Sequence, residues 1–309
     1  MSSHIIIVTY NGMQWLERCL ASCTAYSVIV VDNASTDNTV AFIEANYPKI
    51  KLFKQTTNLG FGQANNLGIS YALKQGAEHV FLLNQDAYLI DDCLDKLITY
   101  QQKNTQYGVL SPIHINATKK RMDENFSNYM GYKYNADFYS DFVLHKPLKE
   151  VYQIPFVNAA AWLVSKKCLT TVGGFDPVFF HYGEDNNFCQ RVCYHNFKIG
   201  IIPTAFVIHD RENRVQKTIT PYSEAYYKVK AKKYAIKYAN INEENAEKRI
   251  NKDLKKLNKA KIKSFLKFDF RTYKNQKKEE KFLCGLKPKL ITSYTLNKVK
   301  DAHYLRFKK

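Results

Sequence analysis

Residues 80–86 read VFLLNQD, a short apolar run that ends on two amides and a lone carboxylate. Three earlier stretches have the same form: the mainly apolar residues 5–8, 28–31 and 50–53 are each followed by small polar residues. Buried parallel strands read as continuous apolar runs, and open α/β sheets bind ligands beyond the carboxyl ends of their strands. The four polar clusters are therefore predicted to converge on one ligand-binding crevice.

The segments between these runs have the spacing of amphipathic helices. Apolar side chains recur every three to four residues from Met13, Val40, Ala64 and Cys93 onward. Strand–helix alternation repeated four times predicts right-handed crossovers and a mostly parallel sheet of the α/β class. The apolar residues of 113–150 recur with no helical or strand period, so we expect a mobile loop excursion there rather than a core element.

The net charge of +18 is concentrated in the last third of the 309-residue chain. Residues 211–309 hold 29 of the 46 Lys and Arg and 10 of the 28 Asp and Glu, so residues 1–210 are close to neutral. A basic helical pattern of this kind fits an anionic membrane surface, or it is the solvated face of a helical hairpin packed on the core. The near-neutral front part argues against a nucleic-acid partner.

Cysteine usage and hydropathy predict a cytoplasmic protein. The seven cysteines form no C-x-x-C pair, which favours a reducing compartment. No apolar run reaches the roughly 18 residues that a membrane span needs. The first strand begins at once and leaves no room for a signal peptide.

The clusters after the first two runs suit a nucleoside diphosphate. Tyr10 supplies a flat wall for a base, while Asp32 and Asn33 supply an acceptor and an amide for its edge. Ser35 is expected to cap the following helix, and a capping role for Asp32 is the structural alternative.

Asp86 is a candidate metal ligand. A carboxylate at a strand end can hold Mg²⁺ or Mn²⁺, which would neutralise a diphosphate and stabilise its charge as a leaving group. The last apolar run ends at His209 in the same way. Its imidazole is either a further ligand, which Mn²⁺ tolerates, or a structural group.

Glu184 and Asp185 are candidates for general acid–base catalysis. They follow Gly183, and adjacent side chains cannot face the same way on a helix. One can act as a base toward an acceptor hydroxyl while the other binds a substrate hydroxyl or caps the helix. Arg191, about two turns further on, is either a structural partner or an active-site group.

Together these segments resemble the family 2 glycosyltransferases, which are inverting enzymes of the GT-A fold. Within that family they look closest to bacterial rhamnosyltransferases of surface polysaccharide synthesis. The matching stretches are residues 8–12, 31–37, 58–61, 65–69, 82–86, 173–176 and 182–185, together with His209. The resemblance covers residues 4–210.

The resemblance implies a role for particular residues. Asp86 matches the last acid of the family's D-x-D metal motif, His209 an additional metal ligand, and Asp185 the catalytic base. Trp162 and Glu184 are expected to face the acceptor. The motif reads Asn84-Gln85-Asp86, which leaves one carboxylate. The residues expected to contact the donor are Thr9, Tyr10, Asn11, Asp32, Asn33, Asn58, Gly60, Asn65, Asn84 and Gln85.

The resemblance also implies an architecture and a reaction. Residues 1–210 would form a Rossmann-like GT-A domain, with nucleotide-sugar binding in 1–112 and acceptor binding in 113–210, followed by the basic helical extension 211–309. The expected donor is dTDP-rhamnose or a UDP-hexose, and the acceptor a saccharide or lipid-linked saccharide. A sugar-1-phosphate nucleotidyltransferase and a non-enzymatic polyanion-binding protein are the alternatives. Independently of the resemblance, the charge of the extension leaves two interpretations open: peripheral contact with the inner face of the cytoplasmic membrane, or packing on the core alone.

Overall fold

The computed structural model describes residues 2–180, 182–211 and 218–307. Residues 212–217 of the basic extension lie outside the described residues, and so does His181. The strands are β1 (Ser3–Thr9), β2 (Ser27–Asp32), β3 (Lys51–Lys54), β4 (His79–Asn84), β5 (Ala87–Leu89), β6 (Tyr107–Ile115), β7 (Tyr152–Gln153), β8 (Ala161–Ser165) and β9 (Lys198–His209). The helices are α1 (Met13–Ala21), α2 (Thr39–Asn46), α3 (Phe61–Lys74), α4 (Cys93–Lys103), α5 (Glu124–Met130), α6 (Ala136–Val143), α7 (Lys166–Val172), α8 (Glu184–Tyr194), α9 (Glu224–Tyr238), α10 (Ala246–Leu266) and α11 (Phe270–Leu296).

Four parallel strands form the first half of the sheet, in the order β3-β2-β1-β4. Ile6 of β1 pairs with Ile29 on one side and Leu82 on the other. Ile5, Ile6 and Ile7 are all buried, because helices cover both faces of the sheet. The α/β class and the four predicted strands are confirmed.

The second half of the sheet is mixed. β8 runs antiparallel between β4 and β6, while β6 and β9 pair in parallel and β5 and β7 pair antiparallel with β9. Because β5 pairs with the end of β9, Asp86, which precedes β5, lies next to His209, the last residue of β9.

The expectation for residues 113–150 is wrong. β6 continues to Ile115, and α5 and α6 insert Phe126, Met130 and Phe138 into the core on one face of the sheet. Both helices are short, with seven and eight residues. Two turns are too few to show a clear 3.6-residue period, so the apolar positions look scattered along the sequence.

The basic extension packs on the rest of the chain through its own small core. Phe179 contacts a cluster contributed by the last three helices, which consists of Ala235, Tyr238, Ile250, Leu283 and Leu290. Asp176 lies beside this cluster and is buried. Its Oδ2 accepts hydrogen bonds from Ser293 Oγ at 2.6 Å, Asn297 Nδ2 at 2.7 Å and Tyr304 OH at 3.0 Å.

Among the described residues, none of the helices is both long enough and apolar enough to span a membrane.

Candidate active site

The turn after β2 is held by Asp32. Thr9 donates from Oγ1 to Asp32 Oδ1 at 3.1 Å, and the backbone N–H of Ser35 donates to Oδ2 at 3.0 Å. Asp32 is 2% exposed, so its carboxylate is buried beneath this turn. Ser35 does not cap the next helix: α2 begins only at Thr39, and Ser35 Oγ accepts the backbone N–H of Asn11 at 2.9 Å. These bonds join the ends of β1 and β2.

Tyr10 follows the end of β1 and is 47% exposed. Its backbone is clamped by the Gln85 side chain, whose Oε1 accepts from Tyr10 N at 2.9 Å and whose Nε2 donates to Tyr10 O at 3.2 Å. Gly12 leaves room for this clamp, because a Cβ there would lie 2.1 Å from Gln85 Oε1. Gln85 therefore positions the aromatic wall.

Asn33 fixes the loop that precedes α3. Its Oδ1 accepts from Leu59 N at 2.7 Å, and its Nδ2 donates to Asn58 Oδ1 at 2.9 Å. Gly60 in this loop has φ +79°, and a Cβ there would lie 2.0 Å from the carbonyl oxygen of Phe180. Only glycine allows both the conformation and the contact. The loop thus touches the segment that leads to Gly183.

Two amides of the predicted donor set have different surroundings. Asn65 is buried in α3 and donates from Nδ2 to Phe61 O at 3.0 Å, one turn earlier. Asn84 ends β4, and its Oδ1 is buried without a hydrogen-bond partner in the described part of the chain. Asn65 therefore has an internal partner, whereas Asn84 Oδ1 has none among the described residues.

Asp86 and His209 lie together because Ala87 of β5 pairs with His209 of β9. Asp86 Oδ1 is 3.5 Å from His209 Nε2, and Asp123 Oδ2 is 3.6 Å from His209 Nδ1. All three side chains are buried. The sequence interpretation missed Asp123, which precedes α5 and caps it by accepting the backbone N–H of Phe126 at 2.8 Å.

Arg211 is a second residue that the sequence interpretation missed. Its Nε donates to Asp123 Oδ2 at 2.7 Å and its Nη2 to Asp123 Oδ1 at 2.6 Å, a bidentate pair. Burial acts to raise the pKa of Asp123, but the bonds and charge of Arg211 outweigh it and hold that pKa below its usual value. Its position two residues after His209 was the available signal.

Asp86 and His209 fit a divalent cation as two members of a larger ligand set. Two neighbouring ligand atoms at about 2.1 Å from an octahedral Mg²⁺ are about 3.0 Å apart, so the 3.5 Å between Asp86 Oδ1 and His209 Nε2 has to shorten by only about 0.5 Å for both to bind one ion. Both ring nitrogens of His209 are buried without a hydrogen-bond partner among the described residues. Those residues contain no group of three or more His, Cys, Asp or Glu side chains arranged for a metal. Substrate oxygens would have to complete the coordination.

Glu184 and Asp185 occupy the first turn of α8, after Gly183 with φ +96°. Burial raises the pKa of Glu184 to about 7, and its Oε2 is buried without a hydrogen-bond partner. Burial also raises the pKa of Asp185. The backbone N–H of Asn186 donates to Asp185 Oδ1 at 2.7 Å and acts in the opposite direction, lowering this pKa. Lys232 of α9 lowers both pKa values by its charge. Glu184 is buried and Asp185 is half-buried, and the charge of Asp185 acts to raise the pKa of Glu184.

The pKa of Tyr129 of α5 is influenced by the charges of both carboxylate clusters. Burial raises the pKa of its hydroxyl to about 12, with contributions from the charges of Asp185 and Asp123, while Arg211 acts in the opposite direction. A single side chain therefore senses both the Asp185 cluster and the cluster around His209.

Arg191 has a structural role. It is fully buried and donates from Nε to Asn187 Oδ1 at 2.9 Å, from Nη1 to Val172 O at 2.8 Å and from Nη2 to Gly174 O at 2.6 Å. These bonds tie α8 to the end of α7 and to the turn that follows it. Of the two alternatives, the structure favours the structural partner, although the partner is Asn187 rather than Glu184.

The expectation that Trp162 faces the acceptor is wrong. Trp162 is fully buried in β8, and its ring packs against Phe175 and Phe188 at centroid distances of 6.3 and 5.7 Å. Apolar residues occupy both faces of this strand, so the sequence does not indicate which of them line a cleft.

Comparison with known proteins agrees with this geometry. The model of the family described as Glycosyl transferase family 2 matches residues 4–167, slightly more than half of the chain. A dTDP-rhamnosyl transferase, RfbF of Shigella flexneri, is 28% identical over 68% of this chain and 70% of its own. An N-acetylglucosaminyl-diphospho-decaprenol L-rhamnosyltransferase of Mycobacterium tuberculosis is 23% identical over 72% of this chain and 81% of its own.

Solved structures share the fold. GalNAc-T7, crystallised with UDP, GalNAc and Mn²⁺, superposes with a TM-score of 0.54 at 18% identity, over 77% of this chain and 50% of that one. S. aureus TarS in complex with UDP superposes with a TM-score of 0.52 at 19% identity, over 78% of this chain and 65% of that one. This chain thus spans half to two thirds of those proteins.

Proposed function

Because the chain belongs to glycosyl transferase family 2, we propose that it transfers a sugar from a nucleotide-diphosphate donor to a saccharide acceptor, with inversion at the anomeric carbon. The observation that carries this proposal is the buried pair of Asp86 and His209, whose Oδ1 and Nε2 atoms lie 3.5 Å apart where β5 meets the end of β9. A pair of this kind suits a divalent cation beside a departing diphosphate.

Asp185 is the proposed base. It accepts the proton of an acceptor hydroxyl while that oxygen bonds to the anomeric carbon. The bond from this carbon to the diphosphate oxygen breaks, and its electron pair leaves with the diphosphate. Burial supports the role, because a raised pKa makes the Asp185 carboxylate a stronger base than an exposed aspartate. Glu184 is proposed to bind an acceptor hydroxyl through its partnerless Oε2.

Asp86 and His209 are the residues that would hold Mg²⁺ or Mn²⁺. A cation bound there would supply positive charge to the diphosphate as negative charge develops on it. Asp123 lies against the other ring nitrogen of His209 and would orient the imidazole, in the way that carboxylates orient metal-binding histidines. Arg211 in turn fixes Asp123.

The donor is proposed to be dTDP-rhamnose, with a UDP-hexose as the second candidate. The matched relatives named as rhamnosyl transferases support the first, and the UDP complexes of structural neighbours support the second. We propose a saccharide or lipid-linked saccharide as acceptor, in bacterial surface polysaccharide synthesis at the inner face of the cytoplasmic membrane. Family membership favours this reaction over a nucleotidyltransferase or a non-enzymatic polyanion-binding protein.

Replacement of Asp185 by Asn tests the mechanism. We expect transfer to fall by about 10²–10⁴-fold, the usual contribution of a positioned base, while donor binding measured by calorimetry is retained. Asp137→Asn, at an exposed carboxylate of α6, is the matched control and should keep full activity. Turnover in D185N close to that of the control would remove Asp185 from the role of base.

A further inference from the structure

The far end of the α10–α11 hairpin exposes large apolar side chains. Ile250, near the start of α10, is fully buried, whereas Leu266 and Phe268 at the other end are 71% and 79% exposed. With a rise of about 1.5 Å per residue, this end lies about 24 Å along the helix from Ile250. We call residues 259–278 the hairpin tip. The apolar pattern of α10 thus continues beyond the part of the helix that the fold covers.

The exposed side chains form one cluster. Phe265 and Phe270 have ring centroids 6.2 Å apart, Phe268 and Phe270 6.3 Å, and Phe265 and Tyr273 5.6 Å. Phe268 has φ +57°, so the chain reverses at that residue between the two helices. Ordinary hairpin turns carry small polar residues, whereas this turn carries phenylalanines. A contiguous exposed apolar cluster of this kind indicates a binding surface.

The charge of the hairpin tip is strongly one-sided. Its basic residues are Lys259, Lys261, Lys263, Lys267, Arg271, Lys274, Lys277 and Lys278, and its single acidic residue is Asp269. Asp269 is engaged in capping α11, where its Oδ1 accepts the backbone N–H of Thr272 at 3.0 Å. The partner that complements this surface is therefore anionic and apolar at once.

We propose that the hairpin tip inserts its aromatic cluster into an anionic phospholipid surface while the surrounding lysines bind the lipid headgroups. The aromatic cluster lies at a projecting turn flanked by lysines, which is the arrangement that interfacial membrane anchors use. A single-stranded nucleic acid could pair with the lysines and stack bases on the rings, but it offers no apolar partner for Leu266, which is 71% exposed. The inference deepens the proposed function, because a lipid-linked acceptor requires the enzyme to meet a bilayer.

Co-sedimentation of the full chain with vesicles tests the proposal without donor, acceptor or metal, so its outcome does not depend on the transfer reaction. Vesicles of phosphatidylcholine and phosphatidylglycerol in equal parts should pellet the protein, and pure phosphatidylcholine should not. The variant L266S/F268S should bind the anionic vesicles at least about tenfold more weakly, because both side chains lose their apolar insertion.

The matched control is F142S/L144S, which alters two apolar side chains of similar exposure near α6 and should bind like the unaltered protein. In a separate F268W variant, the emission should shift to the blue on addition of anionic vesicles. Equal binding by L266S/F268S and the control, equal binding to both kinds of vesicle, or an unshifted F268W emission would each overturn the proposal. Tight binding to single-stranded RNA combined with absent vesicle binding would replace the lipid by a nucleic acid.

Discussion

Replacing Asp176 by alanine should destabilise the whole protein, including the sheet as well as the basic extension. The carboxylate is buried, and three donors from the chain's last fifteen described residues converge on its Oδ2. A buried donor left without a partner costs about 1–3 kcal/mol. Three donors lose their partner, but water can enter the space that the carboxylate leaves and bond some of them. We therefore expect the free energy of unfolding to fall by about 3–6 kcal/mol, a large share of the usual 5–15 kcal/mol.

Urea unfolding measured by two signals is the appropriate assay. Trp15 and Trp162 are the two tryptophans, and both belong to the sheet-forming part of the chain, so their fluorescence reports on that part. Far-UV circular dichroism is dominated by the helices. D176A should lower the urea midpoint of both signals together. Asp137→Ala, whose carboxylate makes only an exposed pair with Lys149, is the control and should change the free energy by at most about 1 kcal/mol. An unchanged fluorescence midpoint in D176A would refute the reasoning, because it would mean that the extension unfolds on its own.

Three further predictions concern the site. Glu184→Gln should gain stability relative to the unaltered protein as the pH rises from about 4.5 to about 7. Between these pH values the folded state keeps the proton of Glu184, whereas the unfolded state releases it, so the unaltered protein loses stability. The loss reaches about 3 kcal/mol, and glutamine avoids it because it does not ionise. Urea unfolding at pH 5 and pH 8 measures it, and parallel pH profiles would contradict it. Gly60→Ala should weaken donor binding in calorimetry at least tenfold, because the new Cβ would collide with Phe180 O. Gly76→Ala is the control: this glycine has φ +82° but no atom within 4 Å of the added Cβ, so the substitution should introduce only conformational strain. Equal effects of the two would rule out the collision. His209→Ala should raise the Mn²⁺ concentration for half-maximal transfer by about 10–100-fold, and an unchanged requirement would exclude His209 from the metal site.

The strands and the convergence of their ends were predictable because burial on both faces leaves a direct mark on the sequence. Residues 5–8, 28–31 and 80–83 are continuous apolar runs and form adjacent parallel strands. The proximity of Asp86 and His209 follows from the same logic, since each lies at a strand end. The family resemblance then added the expected roles, which the strand pattern alone does not contain.

The remaining features depend on contacts that no local pattern records. Asp123 enters the site because a short helix in an aperiodic segment starts there, and Arg211 becomes meaningful only once Asp123 is in place. Trp162 was misassigned because a strand with apolar residues on both faces does not show which way each side chain points. Arg191 finds its partners in backbone carbonyls, and carbonyls are not distinguished in a sequence.

The partners of Asp176 also bear on how the protein is made. Ser293, Asn297 and Tyr304 are translated after every strand of the sheet, yet they complete a buried network whose acceptor is synthesised more than a hundred residues earlier. A nascent chain that already contains the entire sheet still exposes Phe179 and an unsatisfied carboxylate. Final consolidation of the enzyme must therefore follow translation of its basic helices, during which the growing chain is open to chaperones.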